Sequence, residues 1–283
     1  MSLEDGFSDI MGKARQGLGY SRRELSGLSG LSEETIRALE SGDRAPGDEE
    51  VRLIGEALNL RRSCLGPIAR ETWFPRPLPD WIAAGDPVLT VMGDIGGYAV
   101  KGYILMDSGQ NEALLFDTAC HPEEVLAVLR KRGMTLSGIC LTHGHFDHAG
   151  GLDRIHREWP VPVYLSGEDE GLLPWKPAEK FLVSPVDGEE LRLGRYSVRF
   201  ISTPGHTPGG TCYAATAEEG ALCFVGDTVF AGSIGRSNPA TLYTDHLRSL
   251  KEIILSLPPE TVLLPGHGPG TTIGEERENN PFA

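Results

Sequence analysis

The sequence predicts an α/β or α+β domain of about 200 residues preceded by a small all-helical one. Three observations carry this division. Residues 1–70 show capped, one-faced helical patterns and no clear strand alternation. A proline-rich stretch follows, and beyond it short β-branched runs alternate with helical segments. A length of 283 residues also suits roughly two domains at ~150 residues each.

In the first part, Ser21-Arg22-Arg23-Glu24 has the form of a capping box, in which a hydroxyl and a carboxylate satisfy the free amides of a helix start. Ser32 caps a second short helix with Glu33 and Glu34 in its positive first turn. Leu31, Thr35, Ile36 and Leu39 share one face of it, and Val51, Ile54, Leu58 and Leu60 mark another helix after Gly47. Trp73-Phe74-Pro75-Arg76-Pro77-Leu78-Pro79 is too rich in proline for a helix or a central strand, and reads as a stiff linker. Strands are expected at Val88–Met92, Val100–Met106, Ala113–Phe116, Ile139–Leu141, Val161–Leu165, Ser197–Ser202, Thr211–Ala215, Ala221–Val225 and Val262–Leu264. Helices are expected at Glu123–Arg132, Leu152–Glu158 and Leu247–Leu257. The resulting division is a helical domain at 1–70, a linker at 71–86 and an α/β domain at 87–283.

Composition narrows the functional classes. Hydrophobic residues are 40% and charged residues 23%, as in a packed globular protein. No stretch approaches ~18 consecutive apolar residues, which argues against a membrane partner. The first residues lack a charged-then-apolar leader, so a cytoplasmic location is expected. The five cysteines are widely spaced without a CxxC, which suits reduced and mostly buried thiols. The net charge is −14, which disfavours a large nucleic-acid interface. That charge is uneven. Residues 1–70 hold ten basic and twelve acidic side chains, and residues 71–283 hold sixteen and twenty-eight.

The chemistry concentrates after the run Gly138-Ile139-Cys140-Leu141, where Thr142-His143-Gly144-His145-Phe146-Asp147-His148 brings three histidines and an aspartate together. Imidazole nitrogens and carboxylates are the ligands that zinc and similar borderline metals prefer. His206, Asp227 and His267 also follow strand-like runs, each directly after a glycine that lets the backbone turn tightly. A lone histidine in such a place is usually structural. Four strand-end loops that each supply ligand-type residues point instead to a metal site.

From about residue 87 onward, HGHFDH, PGHTPGG, VGDTVF and PGHG in this order resemble the metallo-β-lactamase superfamily. The resemblance implies an αββα sandwich with metals at one edge of two sheets. It implies that His143, His145 and His206 hold one metal, that Asp147, His148 and His267 hold the other, and that Asp227 bridges both. The cofactors implied are two divalent ions, with zinc expected first and iron or manganese as alternatives. Gly226–Arg236 and the tail Pro265–Arg277, ending Asn280-Pro281-Phe282, resemble the short forms of the glyoxalase II group. Those relatives usually continue Thr-Asp after GSIGR, where this chain has Ser237-Asn238.

The activity implied is thioester hydrolysis on a small-molecule substrate. Two cations ~3.5–4 Å apart share a water and lower its pKa towards ~7 for attack on a carbonyl. A thiolate, of pKa ~8.5, leaves without strong acid help. Asp147 is assigned a catalytic role as the acceptor of the nucleophile's proton, and Asp117 a supporting hydrogen bond to the metal loops. Arg236 and Lys176 are substrate-binding candidates, the latter on a 166–190 segment that reads as either a flap or an ordinary surface excursion.

Residues 9–62 resemble the Cro/repressor (Xre) type of helix-turn-helix, through Arg15, Gly19-Tyr20-Ser21, Glu24-Leu25, Gly30-Leu31-Ser32, Thr35-Ile36, Leu39-Glu40, Gly42, Pro46 and Glu56-Ala57-Leu58. The resemblance implies that the helix from Ser32 enters the DNA major groove, and the charge pattern offers Arg22, Arg23, Arg37 and Arg44 as a local contact face. Glu33 and Glu34 at its tip oppose that, so a docking or homodimerising module is the competing expectation. Two further alternatives stay open: a DNA-binding regulator whose metal domain senses a small molecule, and a mononuclear-iron persulfide dioxygenase.

Overall fold

The computed structural model describes residues 2–83, 87–218 and 220–283. The helical part contains α1 (Phe7–Gly17), α2 (Arg22–Ser29), α3 (Glu33–Glu40), α4 (Asp48–Ala57) and α5 (Arg62–Ala69). Ser21 and Glu24 form the expected capping box, with the Glu24 amide 3.1 Å from Ser21 Oγ and the Ser21 amide 2.7 Å from the Glu24 carboxylate. Ser32 caps α3 through the Thr35 amide. Ile10, Met11, Leu25, Ile36, Leu39 and Ile54 are fully buried at the centre of the five helices.

The segment after α5 runs extended over the surface, and the Arg76 amide donates to Glu275 at 2.8 Å. Asp80–Ala83 forms a short helix, α6, inside the stretch expected to be linker throughout. Residues 84–86 of that linker lie outside the described residues.

Two six-stranded sheets follow. The first contains β1 (Val88–Ile95), β2 (Tyr98–Asp107), β3 (Glu112–Phe116), β4 (Thr135–Cys140), β5 (Val163–Tyr164) and β6 (Leu182–Val183) in spatial order. β1 to β3 are antiparallel, and β3 to β6 are parallel, as helical crossovers require. Its helices are α7 (Pro122–Arg132), α8 (Phe146–Ala149) and α9 (Leu152–Glu158). The second sheet contains β7 (Glu190–Leu193), β8 (Tyr196–Ser202), β9 (Thr211–Ala217), β10 (Gly220–Gly226), β11 (Val262–Pro265) and β12 (Thr271–Thr272). Two further helices are α10 (Tyr243–Arg248), prolonged by irregular helical turns to Ser256, and α11 (Ile273–Asn279).

Three apolar clusters build the layers. Tyr103, Phe116, Tyr213 and Phe224 lie between the sheets, with the Phe116 and Phe224 rings stacked at 3.7 Å. Val125, Leu129, Leu152 and Ile155 cover the outer face of the first sheet. Ile201, Cys223, Val225 and Leu263 of the second sheet share a cluster with Leu250, Ile254 and Ile273. This is the αββα arrangement. The third cluster continues into Ile10, Met11, Leu65 and Ile68, so the helical domain is welded to the sandwich through one continuous core.

Two of the three strands without a sequence signal, β6 and β12, are two-residue edge pairings. The third, β7, is Glu-Leu-Arg-Leu and carries too little apolar surface to stand out. All five cysteines are free, and four of them are buried. No helix among the described residues is long and apolar enough to cross a membrane.

Candidate metal centre

The ends of β3, β4, β8, β10 and β11 converge. After β3, Asp117 turns into the left-handed region at φ 53°. Its carboxylate accepts the Thr142 amide and hydroxyl, both at 2.8 Å, and lies 2.8 Å from His148 Nδ1. This fixes His148 with Nε2 turned inward. After β4 the chain presents His143 and His145, and α8 carries Asp147 and His148. His206 Nδ1 donates to the Arg236 carbonyl at 2.7 Å, and His267 Nδ1 donates to the Ala99 carbonyl at 2.7 Å. Both rings thereby turn Nε2 toward the centre. The glycines before the ligands serve close approach: a Cβ on Gly266 would lie 2.3 Å from His148 Cε1.

The ligand-type atoms fall into three overlapping groups, each within 4.8 Å: His143, His145 and His206; His143, Asp147 and His148; His148, Asp227 and His267. His145 Nδ1 and His206 Nε2 are 3.0 Å apart. Asp227 is 3.2 Å from His148, 3.6 Å from His206 and 3.7 Å from His267, while Asp147 is 3.4 Å from His267. Asp227 therefore stands between the groups.

A cation fits this donor set. His143 Nε2, His148 Nε2 and Asp227 Oδ1 are buried without a hydrogen-bond partner, a costly state for polar atoms unless something charged joins them. Burial, together with neighbouring His148 and His206, holds His143 well below the usual imidazole range, in the neutral form a metal needs. Burial likewise lowers His206 to about 4. Burial raises the Asp227 carboxyl, but His148, His206 and His267 outweigh it and bring it well below its ordinary value. Asp147 is lowered in the same way by His267 and His148 against its burial. His148 is the exception. Burial alone would lower it, but the neighbouring Asp227 and Asp117 carboxylates outweigh burial and raise it well above the usual imidazole range.

A cavity of about 420 Å³ opens over Asp147, His206, Asp227 and His267. Ile95, Tyr98, Phe146 and Phe230 give it apolar lining, and Arg236 lines it as well. Lys176 does not reach it. That side chain is paired with Glu170 on the surface. Arg22 is bound to Glu40 at 2.8 Å, and Arg37 lies 4.0 Å from Asp43 on the exposed side of α3.

Two contributions escaped the sequence reading. Asp169, in a tight helical turn at Gly167–Leu172, is fully buried and accepts from the Thr207 hydroxyl at 2.7 Å, the Gly209 amide at 2.8 Å and the Gly144 amide at 3.3 Å. It ties together the loops bearing His145 and His206. The start of the 166–190 segment is thus a clamp rather than a surface excursion. In the sequence Asp169 sits in the run Glu168-Asp169-Glu170, which reads as a solvated surface. The second contribution is Glu4, Asp5 and Lys13, which line the cavity from the helical domain.

Comparison with known proteins agrees with this geometry. The metallo-beta-lactamase superfamily matches residues 102–267, and a helix-turn-helix family matches residues 11–63. A probable metallo-hydrolase of Bacillus subtilis is 33% identical over 209 residues, covering 66% of this chain and 94% of its own. A hydroxyacylglutathione hydrolase of Haemophilus influenzae is 30% identical over 194 residues, covering 63% and 90%. Among solved structures, the B3 metallo-beta-lactamase BLEG-1 superposes with a TM-score of 0.60 at 31% identity, covering 69% of this chain and 99% of that one. The sandwich, the converging histidines and aspartates, and these likenesses lead to one assignment: the chain belongs to the metallo-beta-lactamase superfamily and carries a helix-turn-helix domain in front of that fold.

Proposed function

We propose that this protein is a thioester hydrolase of the glyoxalase II type working with two divalent cations, zinc first among them. The observation that carries the reading is the set of three overlapping ligand groups, with Asp227 within reach of His148, His206 and His267, at the floor of a substrate-sized cavity. The likeness to the Haemophilus hydroxyacylglutathione hydrolase supports the substrate class. His143, His145 and His206 would hold one cation, Asp147, His148 and His267 the other, with Asp227 shared. When bound, the cations supply Lewis acidity and lower the pKa of a shared water.

The chain's own groups do the rest. Asp147, kept ionised by its neighbours, accepts the proton of the attacking water. Asp117 keeps His148 in the tautomer that presents Nε2. Ile95, Phe146 and Phe230 offer the acyl group an apolar wall. The thiolate leaves with its own charge, so the cavity need not protonate it.

Metal analysis joined to a thioester panel including S-lactoylglutathione tests the reading. Turnover with two metals per chain, lost about 100-fold or more in Asp227→Ala, is expected for direct metal ligands. Bound iron with oxygen uptake on a persulfide, and no thioester turnover, would replace it with the dioxygenase.

A further inference from the structure

The helical domain meets the sandwich through polar contacts that end at the cavity. Lys13 of α1 is buried, ion-paired with Asp5, and donates to the Ile234 carbonyl at 2.8 Å. Its ammonium lies 4.8 Å over the Phe230 ring. Asp5 also accepts from the Ser233 hydroxyl at 2.5 Å. The Ser233–Arg236 loop is therefore fastened to α1 by a buried network, which is costly to break once formed. This loop supports the centre, since the Arg236 carbonyl orients His206.

At the cavity rim the Arg236 guanidinium donates to Gln16 Oε1 across the same junction. Gln16 is neutral, so this contact orients the guanidinium without cancelling its charge. The Lys13 charge is matched by Asp5, Asp147 and Asp227 face the metal centre, and the Glu4 carboxylate on the same wall lies toward His267. Arg236 is thus the cation left to meet a substrate anion, and its planar fork suits a carboxylate.

We propose that the helix-turn-helix domain of this chain is a wall of the substrate site: α1 fixes the Ser233–Arg236 loop through Lys13 and Asp5, and Gln16 aims Arg236 at a carboxylate on the thiol-carrier side of the substrate. The proposal rests on the hydrolase reading for the word substrate, but its test reads binding and does not need turnover. Gln16 acts here as a positioning residue.

The experiment uses calorimetry on the full chain with S-methylglutathione, a non-hydrolysable thioether, and with its dimethyl ester. The wild type is expected to bind the free acid about 10-fold more tightly than the ester, the size of one charge-assisted contact. Arg236→Ala removes that preference. Gln16→Ala reduces it about 3-fold and has no further effect when added to Arg236→Ala, as coupled residues require. Both side chains are exposed at the rim, and unchanged melting temperatures confirm folding. Equal wild-type affinity for acid and ester, or a preference that survives Arg236→Ala, overturns the carboxylate assignment. Full additivity of the two substitutions overturns the role of Gln16. Loss of thioester turnover with the acid preference intact would sink the hydrolase reading and leave the wall standing.

Discussion

The carboxylate of Asp169 lies 2.7 Å from the Thr207 hydroxyl, joining the turn after β5 to the loop that carries His206. The same carboxylate receives two backbone amides, at Gly144 and Gly209, and is fully buried. Asp169→Ala leaves all three donors buried and unpaired. A loss of about 2–4 kcal/mol is expected in denaturant unfolding, together with about 10-fold or more weaker metal retention in a chelator competition. Unfolding unchanged within about 0.5 kcal/mol would show that the clamp carries no load.

Asp117→Asn tests the support of His148. The amide keeps the shape of the side chain, but its NH2 group disturbs the acceptors used by Thr142 and His148. Metal affinity is expected to fall about 10- to 100-fold while the fold persists. Titration with a colorimetric metal indicator against circular dichroism separates the two quantities.

Glu276 gives a pH signature remote from the metal centre. Burial raises its carboxyl to about 7, against hydrogen bonds from Asn280, Thr271 and Gly232 that pull it down. The folded state holds this proton more tightly than the unfolded chain does. Its contribution is therefore fully present below about pH 4.5 and declines as pH rises to about 7. The total is on the order of 3 kcal/mol. In Glu276→Gln this component of the pH slope is expected to vanish, as read from urea midpoints between pH 5 and pH 8.

The junction between α1 and α10 has no spare room. A Cβ at Gly17 would stand 2.2 Å from Cγ of the Tyr243 ring. Gly17→Ala must displace that ring, and a loss of about 1–3 kcal/mol is expected from overpacking. Because the core is continuous, calorimetry should show one transition for the helical domain and the sandwich together, shifted downward as a unit. Two transitions, only one of them shifted, would contradict the weld.

Of the expected DNA contacts, Arg22 is engaged within the protein, whereas Arg37 is exposed and 4.0 Å from Asp43. Arg22 pairs with Glu40, Arg44 with Glu50, Arg52 with Glu49 and Glu56, and Arg70 with Asp48. Exposed Glu33 and Glu34 stand in the first turn of α3. Phosphate binding needs a surplus of cations, and residues 1–70 hold ten basic against twelve acidic side chains, so no anisotropy change is expected with a labelled duplex at 50 mM salt. A Kd that weakens steeply with salt, and weakens again in Arg37→Ala, would establish the DNA-reading role.

Much of this was already written in the chain. HGHFDH and three glycine-led residues mark the centre because metal ligation limits the usable side chains to a few types, which stand out at strand ends. Ser21 and Ser32 mark their helices because capping is local chemistry. The nine strand runs were legible for a similar reason, since burial inside a sandwich demands β-branched and aromatic residues.

Tertiary structure alone decided the remainder. Asp169 and Lys176 look alike in sequence as charged residues of one loop, yet one is fully buried between two ligand loops and the other sits on the surface with Glu170. The proline-rich stretch reads as a divider, but Ile10 and Ile68 share a core with Val225 across it. Glu4, Asp5 and Lys13 carry no metal-site pattern and still line the cavity, more than 130 residues from Asp147 along the chain. Spacing and residue type record what a segment does for itself. Which distant surface it is pressed against depends on packing the whole chain, and that is where the site acquired its helical wall.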